Sequence, residues 1–297
     1  MNKFKNALIS FILFFGHLLP DFLAVKLGCF IGFLLRLFNF RRKLIEENIQ
    51  LVYGNLQKDV PTDLVQRVYR HFGLLCIEMF RVPTISKEKF HRYFTYHGLD
   101  NLDNALALKQ GIMSINGHLG NWEYTMSGIT IKGYDVRPVV KAMKNVDNEH
   151  VYELLRGRKG VTSIPKRNSI KPIFKALKAN ASIGFVVDQN ASTKEGVFVD
   201  FFGKKASTYS ALYVLAKKTG ATLVPVYSWR DEDLLHHHIK ILPAIELEEI
   251  SDDPQENLRH NTQRFVHIIE EAILEHPEQW IWMHRRWKHQ PPSEDKE

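Results

Sequence analysis

Residues 111–123 read Gly-Ile-Met-Ser-Ile-Asn-Gly-His-Leu-Gly-Asn-Trp-Glu, and the reading of this stretch decides the fold. Gly111 to Asn116 is a short apolar run, the pattern of a buried strand. Gly117 and Gly120 loosen a turn, and a helical stretch runs from Trp122 to Ile131. Further apolar runs repeat the strand pattern at Val136 to Val140, Ser182 to Val187, Thr222 to Tyr227 and His238 to Leu242. Helical stretches lie between and after them, at Asp147 to Leu155, Ile170 to Ala179, Ser207 to Lys218 and about Pro254 to Leu274. Strands alternating with helices predict an α/β fold: a mostly parallel sheet with helices on both faces.

Upstream, Pro61-Thr62-Asp63 opens a basic helix whose apolar stripe includes Leu64, Val68, Tyr69, Phe72, Leu75 and Met79. The first 43 residues stand apart. Ala7 to Pro20 carries no formal charge and Phe22 to Leu35 carries only Lys26, with Pro20-Asp21 between the runs. Each run has 14 residues, whereas a membrane-spanning helix needs ~20. A signal peptide would suit Lys3 and Lys5, but no small-residue cleavage site follows. Two buried core helices would also fit. The reading favoured is a membrane anchor, spanning or lying in the interface, because Arg36, Arg41, Arg42 and Lys43 close the stretch where anionic headgroups would meet them. Weighed against Lys3 and Lys5, that cluster puts the bulk of the chain on the cytoplasmic side. The expected organisation is a membrane-associated segment over 1–43, an α/β domain over 44–290 with a helical front to about residue 83, and a tail over 291–297.

The chain has 297 residues, 44% of them apolar and 25% charged, which excludes disordered and collagen-like classes. Cys29 and Cys76 alone can build neither a disulfide framework nor a four-cysteine zinc site. A net charge of +7 suits anionic partners.

His118 sits in the loop at the strand's C-terminal end, where open α/β sheets place their sites. Glu123 lies five residues on, in the first turn of the helix. If the turn folds back, the carboxylate can hold one imidazole nitrogen and raise the basicity of the other. No enzyme nucleophile accompanies the pair, so the nucleophile would be a substrate hydroxyl. A loop histidine beside a helix-start acid, which the macrodipole favours, would look the same.

The setting Asn116-Gly-His-Leu-Gly-Asn-Trp-Glu123 resembles the His-x4-Asp/Glu motif of glycerolipid acyltransferases. It is most similar to the late acyltransferases of lipid A biosynthesis, the lauroyl and myristoyl transferases. The likeness extends through nearly the whole chain. It includes the apolar front, Asp188-Gln189, Gly196-Val-Phe-Val-Asp-Phe-Phe-Gly203, Ala206-Ser-Thr208, Val224-Pro225-Val226 and Trp280-Ile-Trp-Met-His-Arg-Arg-Trp-Lys288. The resemblance implies that His118 takes a proton from a lipid hydroxyl, which attacks an acyl thioester, while Glu123 orients the ring. It also implies a supporting Arg and Asp. Arg158 is the expected oxyanion donor, with Arg156 its rival, and Asp188 the residue holding Arg158.

The resemblance further implies acyl carrier protein, or acyl-CoA, as donor. A lipid A precursor in the inner membrane would be the acceptor, with no nucleic acid and no cofactor. Acylation of another glycolipid or an acyl-glycerol phosphate is the alternative within enzymes. A non-catalytic basic membrane-binding protein is the alternative outside them. Asn121, Trp122, Arg156, Arg285 and Arg286 are candidate substrate or membrane contacts, and Trp280, Trp282 and Trp287 either join them or anchor the core. Three weaker signals are set aside. His236-His-His238 lacks a carboxylate or Cys at ligand spacing. Phe202-Gly-Lys-Lys-Ala-Ser-Thr208 lacks the first glycine of a phosphate loop, and no Gly-x-Ser-x-Gly elbow is present.

Overall fold

The computed structural model describes residues 19–82, 85–140, 156–157 and 159–292. The helical front comprises α1 (Asp21–Leu37), α2 (Arg42–Asn55), α3 (Leu64–Arg81) and the short α4 (Lys87–His91). The α/β part runs β1 (Phe94–His97), α5 (Leu99–Ala107), β2 (Ile112–Asn116), α6 (Trp122–Ile131), β3 (Val136–Val140) and β4 (Ile164–Pro165). It continues through α7 (Ile170–Lys178), β5 (Ser182–Val186), β6 (Gly196–Phe201), β7 (Lys204–Tyr209), α8 (Ala211–Thr219), β8 (Thr222–Arg230), β9 (His237–Ile241) and α9 (Pro254–Glu275).

Seven strands form one sheet in the order β1-β9-β8-β2-β5-β3-β4, with β2 at its centre. Every pairing in it is parallel except β8 with β9. The α/β architecture with a mostly parallel sheet is therefore as the alternation predicted. Ile112 pairs with Ser182 and Thr222, and Ser114 with Gly184 and Val224, so even-numbered residues of these strands share a face. One hydrophobic core lies against α5 and α6, built from residues such as Leu102, Ile112, Tyr124, Ile129 and Val224. The other lies against α7, α8 and α9, built from residues such as Met113, Ile115, Ile173, Leu212, Phe265 and Ile269.

Two local readings change. Ser207 to Tyr209 is strand, not the start of a helix. Lys204–Tyr209 pairs antiparallel with Gly196–Phe201 in a separate hairpin, and the helix begins at Ala211. Partner hydrogen bonds across the hairpin override the local helical spacing. The four-residue strand β1 and the helix α5 escaped periodicity altogether. The expected helix over 147–155 falls outside the described residues.

The front folds by its small side chains. Ala24, Gly28 and Gly32 form a buried stripe along α1, and Gly28 and Gly32 pack against α3 at Gly73. A Cβ added at Gly32 would lie 2.5 Å from the Tyr69 carbonyl oxygen, so the helices approach more closely than larger residues allow. Asp21 anchors the helix start, taking a 2.6 Å bond from Arg81, a 2.6 Å bond from the Tyr93 hydroxyl and a 3.0 Å contact from Lys89. The large residues Phe22, Leu23, Leu27, Phe30, Phe33 and Leu37 are left on the outside. Among the described residues no helix is long and apolar enough to cross a membrane.

Candidate active site

The strand β2 ends at Asn116 beside Val186 of β5. Two residues past each strand end stand His118 and Asp188. His118 Nδ1 donates to Asp188 Oδ1 at 2.8 Å, and the His118 backbone N–H donates to Oδ2 at 2.7 Å. The Trp280 indole N–H adds a 2.9 Å bond to Oδ2. Asp188 is fully buried, which pushes its carboxyl upward. The His118 ring, the two bonds from His118 and the indole donor outweigh that and hold it at about 2. An ionised carboxylate at Nδ1 keeps the proton there and leaves Nε2 as the ring's lone-pair nitrogen. The Gln189 amide nitrogen stands 3.1 Å from that Nε2. The Trp122 ring packs edge-on to the imidazole, centroids 4.9 Å apart.

The turn that presents His118 depends on its glycines. A Cβ at Gly117 would come within 2.7 Å of Ile269 on α9, and Gly120 has φ +60° against the backbone of Ser228 on β8. The C-terminal segment locks the turn from outside. Gly120 N–H donates to the Gln279 carbonyl at 3.1 Å, and Leu119 bridges to Trp280. Asn121 caps α6, its Oδ1 accepting from Tyr124 N–H at 3.0 Å, while its Nδ2 donates to Glu78 at 2.8 Å. Glu78 is buried under Arg230 and His237. Burial pushes its carboxyl up, but the Arg230 guanidinium, with the hydrogen bond from the His237 ring, holds it well below the usual carboxylate range.

Glu123 does not supply the ring's carboxylate. It takes two bonds from Arg156, at 3.0 Å from Nε and 2.5 Å from an Nη. The expected pairing is thus exchanged. The distant Asp188 meets His118, and the nearby Glu123 meets an arginine. Asp188 was expected to hold Arg158, which lies outside the described residues; its rival Arg156 is within them. Asn121 is buried and structural. Trp122 faces the cavity described below. Arg285 is exposed, but Arg286 is fully buried and is no surface contact. Its guanidinium lies over the Phe201 ring and donates to the carbonyls of Gln189 and Ser207. Trp280 and Trp282 belong to the core, while Trp287 is half-buried against Phe201. Of the three histidines, His237 is buried on Glu78, and His236 and His238 face the other side of β9. Sequence reasoning missed Trp280 and Gln189 as partners of the Asp188–His118 pair. A buried indole N–H always needs an acceptor, but only the fold identifies which.

His118 borders a cavity of about 730 Å³. One arm descends between the sheet and α6. Small residues on the even-numbered face, Ser114, Ser182 and Gly184, leave the space open, and Leu102, Met126, Ile129 and Val136 wall it. Four residue steps along β5, from Val186 to Ser182, give that arm a depth of about 13 Å. The other arm crosses the strand ends to Ile170 and Ala211 at the starts of α7 and α8, and to Leu215 midway along α8. Arg156 and Glu123 line the same cavity.

The family described as bacterial lipid A biosynthesis acyltransferase matches residues 3–289. The lipid A biosynthesis palmitoleoyltransferase of Escherichia coli is 27% identical over 280 residues, covering 93% of this chain and 88% of the relative. The lauroyltransferase of the same organism is 25% identical over 282 residues, covering 92% and 88%. A phosphatidylinositol mannoside acyltransferase of Mycobacterium tuberculosis is 25% identical over 248 residues, covering 82% and 76%.

Proposed function

The chain belongs to the bacterial lipid A biosynthesis acyltransferase family and is an acyltransferase, and on that premise we propose that it moves a fatty acyl group from a thioester to a hydroxyl of a lipid A precursor, with His118 as general base. The observation that carries this reading is a single imidazole, held by an ionised buried carboxylate, at the border of a cavity lined largely by hydrocarbon. His118 Nε2 takes the hydroxyl proton as the oxygen attacks the thioester carbonyl. The tetrahedral intermediate collapses, the C–S bond breaks, and the thiolate leaves with the proton that His118 returns. Asp188 fixes the tautomer and stabilises the imidazolium. Arg156, aligned by Glu123, offers positive charge to the oxyanion. Arg158, the donor that the resemblance implies, is the other candidate for that role. The acyl tail occupies the arm under α6. This chemistry needs a base and positioning, and no redox or metal group.

A lipid A precursor is favoured over a mannoside acceptor because the lipid A relatives match more of the chain. The exposed phenylalanine face of α1, flanked by Lys26, Arg36, Arg41 and Arg42, suits an anionic bilayer surface, which brings the site to an acceptor that stays in the membrane. In this reading the enzyme works at the cytoplasmic face of the inner membrane. The donor is an acidic acyl carrier protein. Beside the second cavity arm, α7 exposes Ile170 with Lys171, Lys175 and Lys178, and α8 exposes Val214 with Lys218, so the two helices offer both apolar and cationic surface.

The test is incubation of the purified protein with an acyl-carrier thioester and lipid A precursor, followed by mass spectrometry of the lipid. The lipid gains one acyl unit, and His118→Ala removes the gain. Transfer by His118→Ala at the wild-type rate would exclude His118 as the base.

A further inference from the structure

We infer that Gln189 is a guard residue: its side-chain amide occupies the seat of the acceptor hydroxyl on His118 and keeps water from that seat until the acceptor displaces it. The inference rests on the reading of His118 as the base. Its geometry is independent of the acceptor's identity.

With Nδ1–H given to Asp188, the ring has one lone pair left, on Nε2. The Gln189 amide nitrogen lies 3.1 Å from it, so the amide N–H donates into that lone pair. A hydroxyl about to lose its proton must stand ~2.6–3.2 Å from the same atom. One lone pair accepts one good hydrogen bond, so amide and hydroxyl exclude each other. Gln189 also lines the cavity and is half-buried, so the hydroxyl can approach where the amide now lies.

The surroundings fix the backbone of Gln189 and leave its side chain to move. Asp188 is tied to His118 and Trp280. The Gln189 carbonyl accepts from Arg286 at 3.2 Å. The Asn190 N–H donates to His284 at 3.0 Å, and the Asn190 side chain bonds His289 at 2.8 Å. Three consecutive residues are thus pinned by the buried C-terminal segment. Rotation about the Gln189 side-chain bonds is the motion that uncovers Nε2.

The consequence is chemical. A thioester bound before the acceptor lies beside a base that could equally activate water. His118 would take a water proton, the hydroxide oxygen would bond to the carbonyl carbon, the C–S bond would break, and the thiolate would leave with the proton from the ring. The products are free fatty acid and thiol. An amide in the seat opposes this reaction, and a lipid hydroxyl anchored by the rest of its molecule can displace the amide where a lone water cannot.

Two variants test this. Gln189→Ala empties the seat, and Gln189→Met keeps the bulk without the donor. With dodecanoyl-pantetheine as donor and detergent-dispersed lipid A precursor as acceptor, the ratio of free fatty acid to acylated lipid rises roughly tenfold in Gln189→Ala, the worth of one hydrogen bond, and less in Gln189→Met. A second readout needs no turnover. Carbethoxylation of His118 by diethyl pyrocarbonate, measured by peptide mass spectrometry relative to exposed His267, speeds up in both variants. An unchanged product ratio with unchanged His118 modification overturns the guard. A product ratio that falls, because hydrolysis is lost faster than transfer, also overturns it, since Gln189 would then be assisting water. If wild-type protein forms neither product, the acyl-transfer reading fails, while the modification rate still decides whether the amide caps the ring.

Discussion

At the scale of single residues, the proposed chemistry rests on the pairing of His118 with Asp188. Asp188→Asn keeps the volume but presents an amide that can hold the wrong tautomer. A fall in turnover of roughly 10²–10⁴-fold is expected, with the fold retained, and steady-state kinetics with circular dichroism would check both parts. The same carboxylate makes a stability contribution with a definite sign. Its folded value, about 2, lies below the ordinary 3.8. The contribution is therefore complete above pH 3.8 and disappears as pH falls through about 2. Wild type should be more stable than Asp188→Asn near neutrality. That gap should close in denaturant titrations as the pH is lowered through the window, and a gap constant with pH would contradict the assignment.

The His118–Glu123 spacing was visible in the sequence, and the partner of each was not. Five residues of chain allow Glu123 to reach back, but the cap at Asn121 starts α6 in a direction that brings Glu123 to Arg156 instead. Arg286 misled for a related reason. A basic and aromatic run reads as surface, whereas this arginine satisfies carbonyls of Gln189 and Ser207 inside the molecule.

At the scale of elements, the face of β2 and β5 toward α6 determines what the cavity can hold. Gly184 stands midway along β5, and a Cβ there would meet Pro138 at an ordinary 3.6 Å. A larger side chain can therefore enter the cavity without straining the strand. Gly184→Leu should shift donor preference toward shorter acyl chains, with long donors losing ~10–100-fold in kcat/KM. A series of thioesters of graded length would measure it, and an unchanged optimum would move the acyl tail out of this arm. The hairpin of β6 and β7 was hidden from periodicity because its register depends on a partner strand. The longer elements α6, α7 and α9 carried their own signals: a capping Asn121, a strong amphipathic stripe, and Asp253-Pro254 at a helix start.

At the scale of the whole molecule, the surface exposes a phenylalanine-bearing face on α1 and a row of lysines on α7, the proposed membrane and carrier contacts. α7 contributes Lys171, Lys175 and Lys178 within nine residues and no acid. Reversing two of them, Lys171→Glu with Lys175→Glu, should raise KM for a carrier-bound acyl donor about tenfold at low salt. KM for an acyl-pantetheine thioester should stay near wild type. Equal effects on both donors would mean that the patch does not receive a carrier. On the other surface, Phe30→Asp with Phe33→Asp should release the protein from vesicles containing anionic lipid in a flotation assay. Retention on those vesicles would assign membrane contact elsewhere.

By itself the sequence determined what depends on near neighbours along the chain: the strand–turn–helix around His118, the alternation that makes a parallel sheet, and the apolar front ending in cations. The tertiary structure decided which side chains meet. His118 and Asp188 are 70 positions apart. They face each other because Asn116 and Val186 are register partners in adjacent parallel strands, so both chains leave the sheet at the same edge. Register is set by burial of the whole sheet face, a sum over many distant residues, and no local window of sequence contains it.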